Sequence, residues 1–320
     1  MVNYTLKGLI SMNRIISVFL NPAIDLTLWV KENGNGEPLS VTEERAYAAG
    51  KGVNVSKALT AAGIENLALG VIGRENREKF LNLLRSSVPR FDITEFSGKT
   101  RENLTIVLPD NKIMKVNYPG ILNDRECLKI FREKLVRFSS EAEYVVFGGK
   151  IPDGISNDDY IDIINSVLGV KAIVDTSSFS LEDYKKLNLF AVKPNHNELS
   201  EITGLPCETD EEIIKAARLL NDSAENVIVS RGEKGLIVVR RDSVIKAVTP
   251  KVEAVSDIGC GDAALAGFIY ADIEGGSDEQ RALFAAAFGT AKTLVEGSGT
   301  VKKELIESIK EKVIIKRLEK

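Results

Sequence analysis

The sequence is poor in the residues that build metal centres and covalent cross-links. His196 is its only histidine, which excludes sites with several histidine ligands. Its three cysteines, Cys127, Cys207 and Cys260, are odd in number and far apart, so they indicate neither a disulfide framework nor a metal knuckle. We therefore expect a protein of a reducing, cytoplasmic compartment.

Basic charge and long apolar runs are also lacking. The net charge is −4, whereas nucleic-acid binding usually needs a strongly basic face. The apolar run at residues 15–20 is too short for a signal-peptide core or a membrane span, and it ends in Asn-Pro. We expect neither nucleic-acid nor membrane partners. The run is interpreted as a buried first strand, preceded by an N-terminal extension at residues 1–11.

The sequence does show the alternation of strand-like and helix-like segments that is typical of an α/β protein. With 320 residues, 44% of them hydrophobic, residues 12–320 can form one large domain, alone or with a small accessory piece. The alternation of β-branched runs with amphipathic segments predicts a mostly parallel sheet covered by helices on both faces. The strand-like runs are 14–20, 67–73, 142–149, 171–178, 189–195, 226–232 and 235–241, and helical patterns include 52–63, 124–138 and 210–221.

Two segments interrupt this alternation. Residues 25–47 and 99–120 contain half-polar strands typical of hairpins, and "PDNK" (109–112) is a typical turn in the second segment. The hairpins form either a small sheet over the main domain or edge strands of the main sheet, and the pattern alone does not decide between these.

The loop "GCGD" (259–262) is the first candidate site. Its glycines can turn several backbone N–H groups toward one point, and a following helix adds the positive end of its dipole, which together favour an anion. If that anion is a transferring phosphoryl group, Asp262 can take the proton of the attacking hydroxyl. The alternative is that Asp262 only caps the helix.

The stretch "AAGKGVNVSKAL" (48–59) is the second candidate. Gly50 and Gly52 let the backbone approach a ligand, and Lys51 places a cation at a helix start, where the dipole favours anions. This unfavourable charge indicates a bound anion, unless Lys51 is simply an exposed turn residue. The GxxxxGK[ST] spacing of a P-loop is absent.

Two further motifs follow predicted strands. In "KPNHNEL" (193–199), Asn195 and Glu198 share one face of a helical turn, where they either hold water around Mg²⁺ or cap the next helix. In "NPAID" (21–25), Asp25 stands at the carboxyl end of a strand, where α/β sheets bind ligands. A carboxylate there suits paired sugar hydroxyls, and the alternative is an ordinary turn aspartate.

In this order and spacing, the motifs resemble those of the PfkB family of carbohydrate kinases over residues 14–300. Within the family they are most similar to the branch of 1-phosphofructokinases and tagatose-6-phosphate kinases. The resemblance implies a ribokinase-like three-layer α/β sandwich in which segments 25–47 and 99–120 form a small β-sheet lid. The matching motifs are "NPAID", "AAGKGVNVSKAL", "KTREN", "GGKIPDG", "KPNHNEL", "VSRGEKG" and "GCGDAALAGF".

The resemblance also implies roles for individual residues. Asp262 matches the catalytic base, and the backbone of Gly259, Cys260 and Gly261 matches the anion hole for the transferring phosphoryl group. Asn195 and Glu198 match the element associated with Mg²⁺–ATP. The remaining matches are Asp25, Gly50 and Asn54 at the sugar, Lys51, Arg101 and Asn103 near its phosphate, and Ser230, Gly232 and Gly235 near the nucleotide.

The chain departs from the family pattern around these positions. The usual D-T-x-G-A-G-D is "SDIGCGD" here: Ser256 replaces an aspartate tied in some relatives to a monovalent cation, and Asp257 adds negative charge near the polyphosphate. Lys150 replaces a common serine and is either a surface residue or, as we favour, a further ligand of the sugar's phosphate. Arg231 replaces the usual leucine, and the sequence gives no reason to choose its role.

The resemblance therefore implies a cytoplasmic kinase that uses Mg²⁺ and ATP on a phosphorylated ketohexose. Fructose 1-phosphate is the first expectation and tagatose 6-phosphate the second, with a homodimer through the β-lid. In a nucleoside or ribose kinase, Lys51 and Arg101 would have no phosphate to meet. The alternative of another class is a non-catalytic sugar-phosphate or nucleotide sensor, against which the retention of Asp262, Asn195 and Glu198 argues.

Overall fold

A computed structural model describes residues 14–319, with the exception of 35 and 111. The expected extension at 1–11 lies outside the described residues. The strands are β1 (Ile15–Phe19), β2 (Ala23–Lys31), β3 (Ser40–Ala49), β4 (Leu67–Gly73), β5 (Phe91–Phe96), β6 (Arg101–Val107), β7 (Ile113–Val116), β8 (Tyr144–Gly148), β9 (Lys171–Asp175), β10 (Leu189–Val192), β11 (Ala224–Ser230), β12 (Leu236–Val239), β13 (Val244–Val248) and β14 (Ile314–Glu319).

The helices alternate with the strands of the main sheet. They are α1 (Lys51–Ala61), α2 (Arg77–Arg85), α3 (Arg125–Ser139), α4 (Asn157–Asn165), α5 (Leu181–Tyr184), α6 (His196–Thr203), α7 (Asp210–Arg218), α8 (Cys260–Ile273), α9 (Asp278–Thr293) and α10 (Lys303–Lys310). No helix within the described ranges is long and apolar enough to cross a membrane.

The large sheet has the order β14-β13-β12-β11-β10-β9-β8-β1-β4-β5. The strands from β11 to β5 in this order run parallel, whereas β12, β13 and β14 are antiparallel. Strands β1, β4 and β8 are buried along their whole length, as continuous apolar runs are when helices cover both faces of a sheet. The predicted α/β class with a mostly parallel sheet is confirmed.

Two helical layers enclose this sheet. Apolar side chains of α3 to α7, such as Phe131 and Tyr160, pack on one face, and those of α1, α8, α9 and α10, such as Leu59 and Phe268, pack on the other. The molecule is therefore the three-layer sandwich that the resemblance implies.

The two hairpins form a separate sheet of four strands, in the order β3-β2-β6-β7. Strands β2 and β6 are parallel, and the outer pairs are antiparallel. Ile24 and Leu26 of this sheet pack with Val53 of α1 and Phe80 of α2. Of the two arrangements left open by the sequence, the small sheet is thus the one adopted, and we call it the lid.

The carboxyl ends of the parallel strands place the candidate residues along one edge. Asn21 and Pro22 follow β1, Lys150 follows β8, and Asn195 follows β10. Asp25, expected at the carboxyl end of the first strand, instead lies within β2 of the lid. Strand β1 lies between β4 and β8, so the chain leaves it in a crevice between strands of distant sequence. Such crevices are where open α/β sheets bind ligands.

Candidate active site

Asp262 lies in the first turn of α8, which begins two residues before it. Gly259 precedes this helix with a φ of 74°, in the left-handed region that favours glycine. No side chain caps the helix start, so its first N–H groups have no partner within the helix. The interpretation of Asp262 as the helix cap is wrong, because Gly259 occupies the cap position and Asp262 points elsewhere.

The carboxylate of Asp262 is buried, with 5% of the residue exposed. Its Oδ2 accepts a 2.8 Å hydrogen bond from Nδ2 of Asn54. Burial raises the pKa of Asp262 to about 6, and the negative charge of Asp175 adds to this effect, while Lys51, the Asn54 bond and Lys193 oppose it. The group is therefore ionised at neutral pH and is still more basic than an ordinary aspartate, as a general base requires.

A buried network of charges borders Asp262. Nζ of Lys51 lies 2.6 Å from Oδ1 of Asp175, and Nζ of Lys193 lies 3.2 Å from the other carboxylate oxygen. Burial alone would raise the pKa of Asp175, but the charges of Lys193 and Lys51 hold it below its usual range. For Lys51, burial is outweighed by the charges of Asp175, Glu198 and Asp262, which raise its pKa. Lys51 thus remains charged beside the candidate base.

Lys193 also touches the "GCGD" loop. A Cβ added to Gly261 would lie 2.9 Å from Nζ of Lys193, so a side chain here would displace the ammonium group. Asp175 and Lys193 are absent from the residues selected by sequence. The signal that points to them is their position at the carboxyl ends of buried parallel strands, since Asp175 is the last residue of β9 and Lys193 directly follows β10.

The predicted sugar residues meet between the lid and α1. The carboxylate of Asp25 accepts hydrogen bonds from Nδ2 of Asn103 at 2.9 Å and from Oγ of Ser298 at 3.0 Å. Gly50 has a φ of 117°, and a Cβ there would approach Cα of Pro22 to 3.1 Å. The Oδ1 atoms of Asn54 and Asn103 are buried and accept no hydrogen bond from the residues that the structure describes. These two amide oxygens can therefore accept hydrogen bonds from hydroxyl groups of a ligand.

Arg101 and Lys150 border the loop that follows β1. The guanidinium of Arg101 donates to the carbonyls of Asn21 and Pro22 at 3.3 Å and of Tyr118 at 3.2 Å. Burial lowers the pKa of Arg101, and the charge of Asp25 opposes this. The carbonyl of Lys150 accepts a 3.0 Å bond from Nδ2 of Asn21, and its side chain is exposed. Both cations can therefore face an anion at the lid edge.

Lys51 lies on the other side, against the carboxylates. Besides Asp175, Oε1 of Glu198 is its near neighbour at 3.9 Å. Arg231 lies apart from both groups, since it is buried and paired with Asp210 at the start of α7. Arg231 thus forms an ion pair with Asp210, whereas the sequence alone offers no reason to choose a role for this residue.

The predicted nucleotide residues line one cleft of about 520 Å³, within the size range of small-molecule sites. Gly235 has a φ of 87°, and a Cβ there would lie 2.0 Å from the carbonyl oxygen of Ala247, so only glycine fits. The cleft wall includes Ser230, Gly232, Gly235, Thr249, Ser256, Asp257, Cys260 and Gly261. The cleft therefore extends to the "GCGD" loop.

Asn195 and Glu198 form a capping box at the start of α6. Oδ1 of Asn195 accepts bonds of 2.9 Å from the backbone N–H groups of Asn197 and Glu198, and Oε2 of Glu198 accepts one of 2.9 Å from that of Asn195. The capping interpretation is confirmed. Oε1 of Glu198 accepts no hydrogen bond from the described part of the chain, which also contains no group of three or more His, Cys, Asp or Glu residues able to hold a metal. Of the predicted pair, Glu198 therefore keeps one carboxylate oxygen that can hold Mg²⁺ through water, whereas Oδ1 of Asn195 is occupied by the cap.

A sequence profile described as "pfkB family carbohydrate kinase" matches residues 17–305. The chain belongs to this family. The 1-phosphofructokinase of Haemophilus influenzae is 30% identical over 312 residues, covering 96% of this chain and all of the relative. The structure of phosphofructokinase-2 from Escherichia coli in complex with fructose-6-phosphate has 26% identity and a TM-score of 0.84, covering 94% of this chain and 99% of that one.

The family membership establishes a sugar kinase that transfers a phosphoryl group to a hydroxyl. Kinases of this family use ATP and typically a divalent metal, and the names of the relatives support a sugar-phosphate kinase. Arabidopsis thaliana ribokinase, at 21% identity and a TM-score of 0.72 over 93% of this chain and 99% of its own, shares the fold. The ribokinase-like architecture predicted from the motifs is confirmed.

Proposed function

We propose that this kinase phosphorylates fructose 1-phosphate to fructose 1,6-bisphosphate with ATP, using Asp262 as the general base. The observation that carries the proposal is the place of Asp262 at the junction of two sites. Its neighbour Gly261 lines the nucleotide cleft, and its hydrogen-bond partner Asn54 presents a free amide oxygen on the sugar side. The relatives named 1-phosphofructokinase favour this substrate over tagatose 6-phosphate.

In the proposed reaction, Asp25, Asn54 and Asn103 hold the sugar hydroxyls. Asp262 accepts the proton of the attacking hydroxyl, which is most effective for a base whose pKa lies near the working pH. The backbone N–H groups of Gly259, Cys260 and Gly261 stabilise the charge of the transferring phosphoryl group, as preorganised donors do in phosphoryl transfer.

Cationic side chains complete the arrangement. Lys193, which lies against Gly261, neutralises phosphate charge at the loop. Mg²⁺, held through water by Glu198 near Asn195, supplies neutralisation of the ATP phosphates when it is bound. Ser230, Gly232 and Gly235 hold the nucleotide at the other end of the cleft.

The phosphate already on the sugar is assigned to Arg101 and Lys150, and not to Lys51, whose ammonium group is paired with Asp175. The guanidinium of Arg101 has only backbone carbonyls as partners among the described residues, and Lys150 has an exposed ammonium group. Neither is neutralised by a carboxylate in an ion pair, so a dianion gains two charge-assisted contacts. This explains why the chain carries cations that an unphosphorylated sugar does not need.

The outer face of the lid supports a homodimer. In β7, Met114 and Val116 are 51% and 39% exposed and lie opposite Ile106 and Leu104 of β6. Since successive side chains of a strand point to opposite faces, these apolar residues share one face, and Lys115 takes the other. An apolar sheet face of this kind fits a second copy of the same lid.

The substrate is tested by coupled assays of ADP release on a panel of sugars. The panel contains fructose 1-phosphate, tagatose 6-phosphate, fructose 6-phosphate, ribose and a nucleoside, each with Mg²⁺ and ATP. We expect the highest kcat/KM with fructose 1-phosphate. A higher value with tagatose 6-phosphate moves the assignment to that sugar, and no ADP above background with any compound overturns the proposed function.

A further inference from the structure

Two lysines outside the assigned site are buried side by side next to it. Lys57 of α1 and Lys292 of α9 are 5% and 6% exposed. They line a small cavity together with Asn54, Gly259 and Ser298. Neither ammonium group forms an ion pair with a carboxylate of the described residues, and both donate to backbone carbonyls instead. Buried charges without a paired counter-charge are costly, so their presence here calls for a function.

The contacts of Lys292 point to the anion loop. Its Nζ donates to the carbonyl of Gly297 at 2.6 Å and reaches that of Val295 at 3.5 Å. Its Cε lies 3.5 Å from the position that a Cβ on Gly259 would take. The ammonium group therefore stands between the 295–297 turn and the residue that begins the anion loop.

The same end of α9 also anchors the segment leading into that loop. The backbone N–H groups of Val255 and Ser256 donate to the carbonyl of Thr293 at 2.8 and 3.1 Å. Lys292 is the residue before Thr293, in the last turn of the helix, where the dipole favours a cation. The 255–259 segment is thus tied to the helix end that carries the buried charge.

Carbonyl groups that converge on one buried point need a positive partner. A free monovalent cation can fill that need, since backbone carbonyls replace the hydration shell of such ions. In this chain, the ammonium group of Lys292 takes the place of such an ion at the carbonyls of Val295 and Gly297. Lys57 does the same for the carbonyls of Ala48 and Ser298, and Ser298 in turn holds Asp25.

We propose that Lys292 is a positioning residue whose ammonium group is a built-in cation, which holds the 295–297 turn against the anion loop and makes nucleotide binding and phosphoryl transfer independent of monovalent cations in solution. The inference rests on the proposed kinase function. It predicts that removing the charge creates a dependence on small cations that the wild-type protein lacks.

The first experiment measures nucleotide binding and needs no sugar. Calorimetry gives the Kd of a non-hydrolysable ATP analogue with Mg²⁺ in chloride salts of tetramethylammonium, potassium or ammonium at equal ionic strength. Four proteins are compared: wild type, Lys292→Met, Lys292→Gln and, as a matched control on the exposed surface of α3, Lys129→Met. Thermal unfolding in each salt reports whether each variant folds.

We expect the wild-type and Lys129→Met values to be the same in all three salts. In tetramethylammonium, both Lys292 variants bind about tenfold more weakly, the loss typical of one hydrogen bond to a charged group. Potassium or ammonium recovers most of that loss, which a merely structural role of Lys292 does not predict. Turnover of the best sugar in the same salts follows the same pattern.

Three results overturn the proposal: wild-type binding that depends on potassium, Lys292 variants that match wild type in tetramethylammonium, or a loss that neither potassium nor ammonium recovers in a folded variant. If Lys292→Met does not fold, Lys292→Gln and the wild-type salt series decide. Wild-type protein that binds the nucleotide analogue and phosphorylates no sugar disproves the proposed function alone. The role of Lys292 in nucleotide binding is then judged on the binding data.

Discussion

Nδ2 of Asn54 donates a 2.8 Å hydrogen bond to Oδ2 of Asp262, a residue 208 positions later in the chain. Asn54 lies in the first turn of α1 and Asp262 in the first turn of α8, so the bond joins the N-terminal ends of two helices. The remaining amide oxygen of Asn54 is buried without a partner among the described residues. Asn54 therefore connects the sugar side of the site to the candidate base.

Replacement of Asp262 by asparagine should lower kcat by about 10²- to 10⁴-fold, the usual contribution of general acid–base catalysis. The substitution keeps the size of the side chain, so the Kd of Mg²⁺–ATP should stay within a few-fold of the wild-type value. Steady-state kinetics and calorimetry measure the two quantities. Asp158→Asn, an exposed change on α4, is the control, and near-normal turnover of Asp262→Asn removes the residue from the role of base.

The pH dependence of kcat should show a limb controlled by Asp262. Its pKa of about 6 means that the base is protonated and inactive below this pH and becomes active as pH rises through it. The Asn54 hydrogen bond favours the ionised form, so Asn54→Leu should move this limb to higher pH. Profiles of kcat between pH 5 and 8 measure the shift, and an unchanged or lower midpoint contradicts the assignment.

Most strands of the central sheet are predictable because a short run of apolar residues is enough to identify each of them. Strands β4 and β8 are buried on both faces and therefore appear in the sequence as continuous apolar runs. Strands β5, β13 and β14 escape prediction, and two of them, β5 and β14, are the edges of the sheet. Every residue of β14 is at least partly exposed, so its composition is that of a surface, and only its partner β13 makes it a strand.

The candidate site is predictable only in part. Gly259 of the "GCGD" loop and Gly50 carry their own signal, because their positive φ angles favour glycine. Asp175 and Lys193 carry only the signal of their position at the carboxyl ends of buried strands, since their charges acquire a role only through partners on other elements. The role of Asp262 could not be decided from the sequence either, because an aspartate suits both a helix cap and a general base. The structure decides against the cap, since Gly259 occupies the cap position.

The assignment of Arg101 to the sugar's phosphate predicts a selective loss. Arg101→Met should raise the KM for fructose 1-phosphate by about 10- to 100-fold, because one or more hydrogen bonds between charged groups are lost. The KM for ATP should change little, since Arg101 lies at the lid edge and not in the nucleotide cleft. Arg125→Met on α3 is the matched control. An equal rise in both KM values places Arg101 outside the sugar-phosphate site.

The proposed dimer through the lid is tested on its apolar face. Met114→Asp introduces a charge at a residue that is 51% exposed and therefore leaves the fold intact, but burial of that charge in an interface is unfavourable. Light scattering after size-exclusion chromatography should give a dimer for wild type and a monomer for Met114→Asp. Ile130→Asp makes the same kind of change on the exposed surface of α3 and should stay dimeric. If Met114→Asp remains a dimer while Ile130→Asp dissociates, the interface lies on the α3 side and not on the lid.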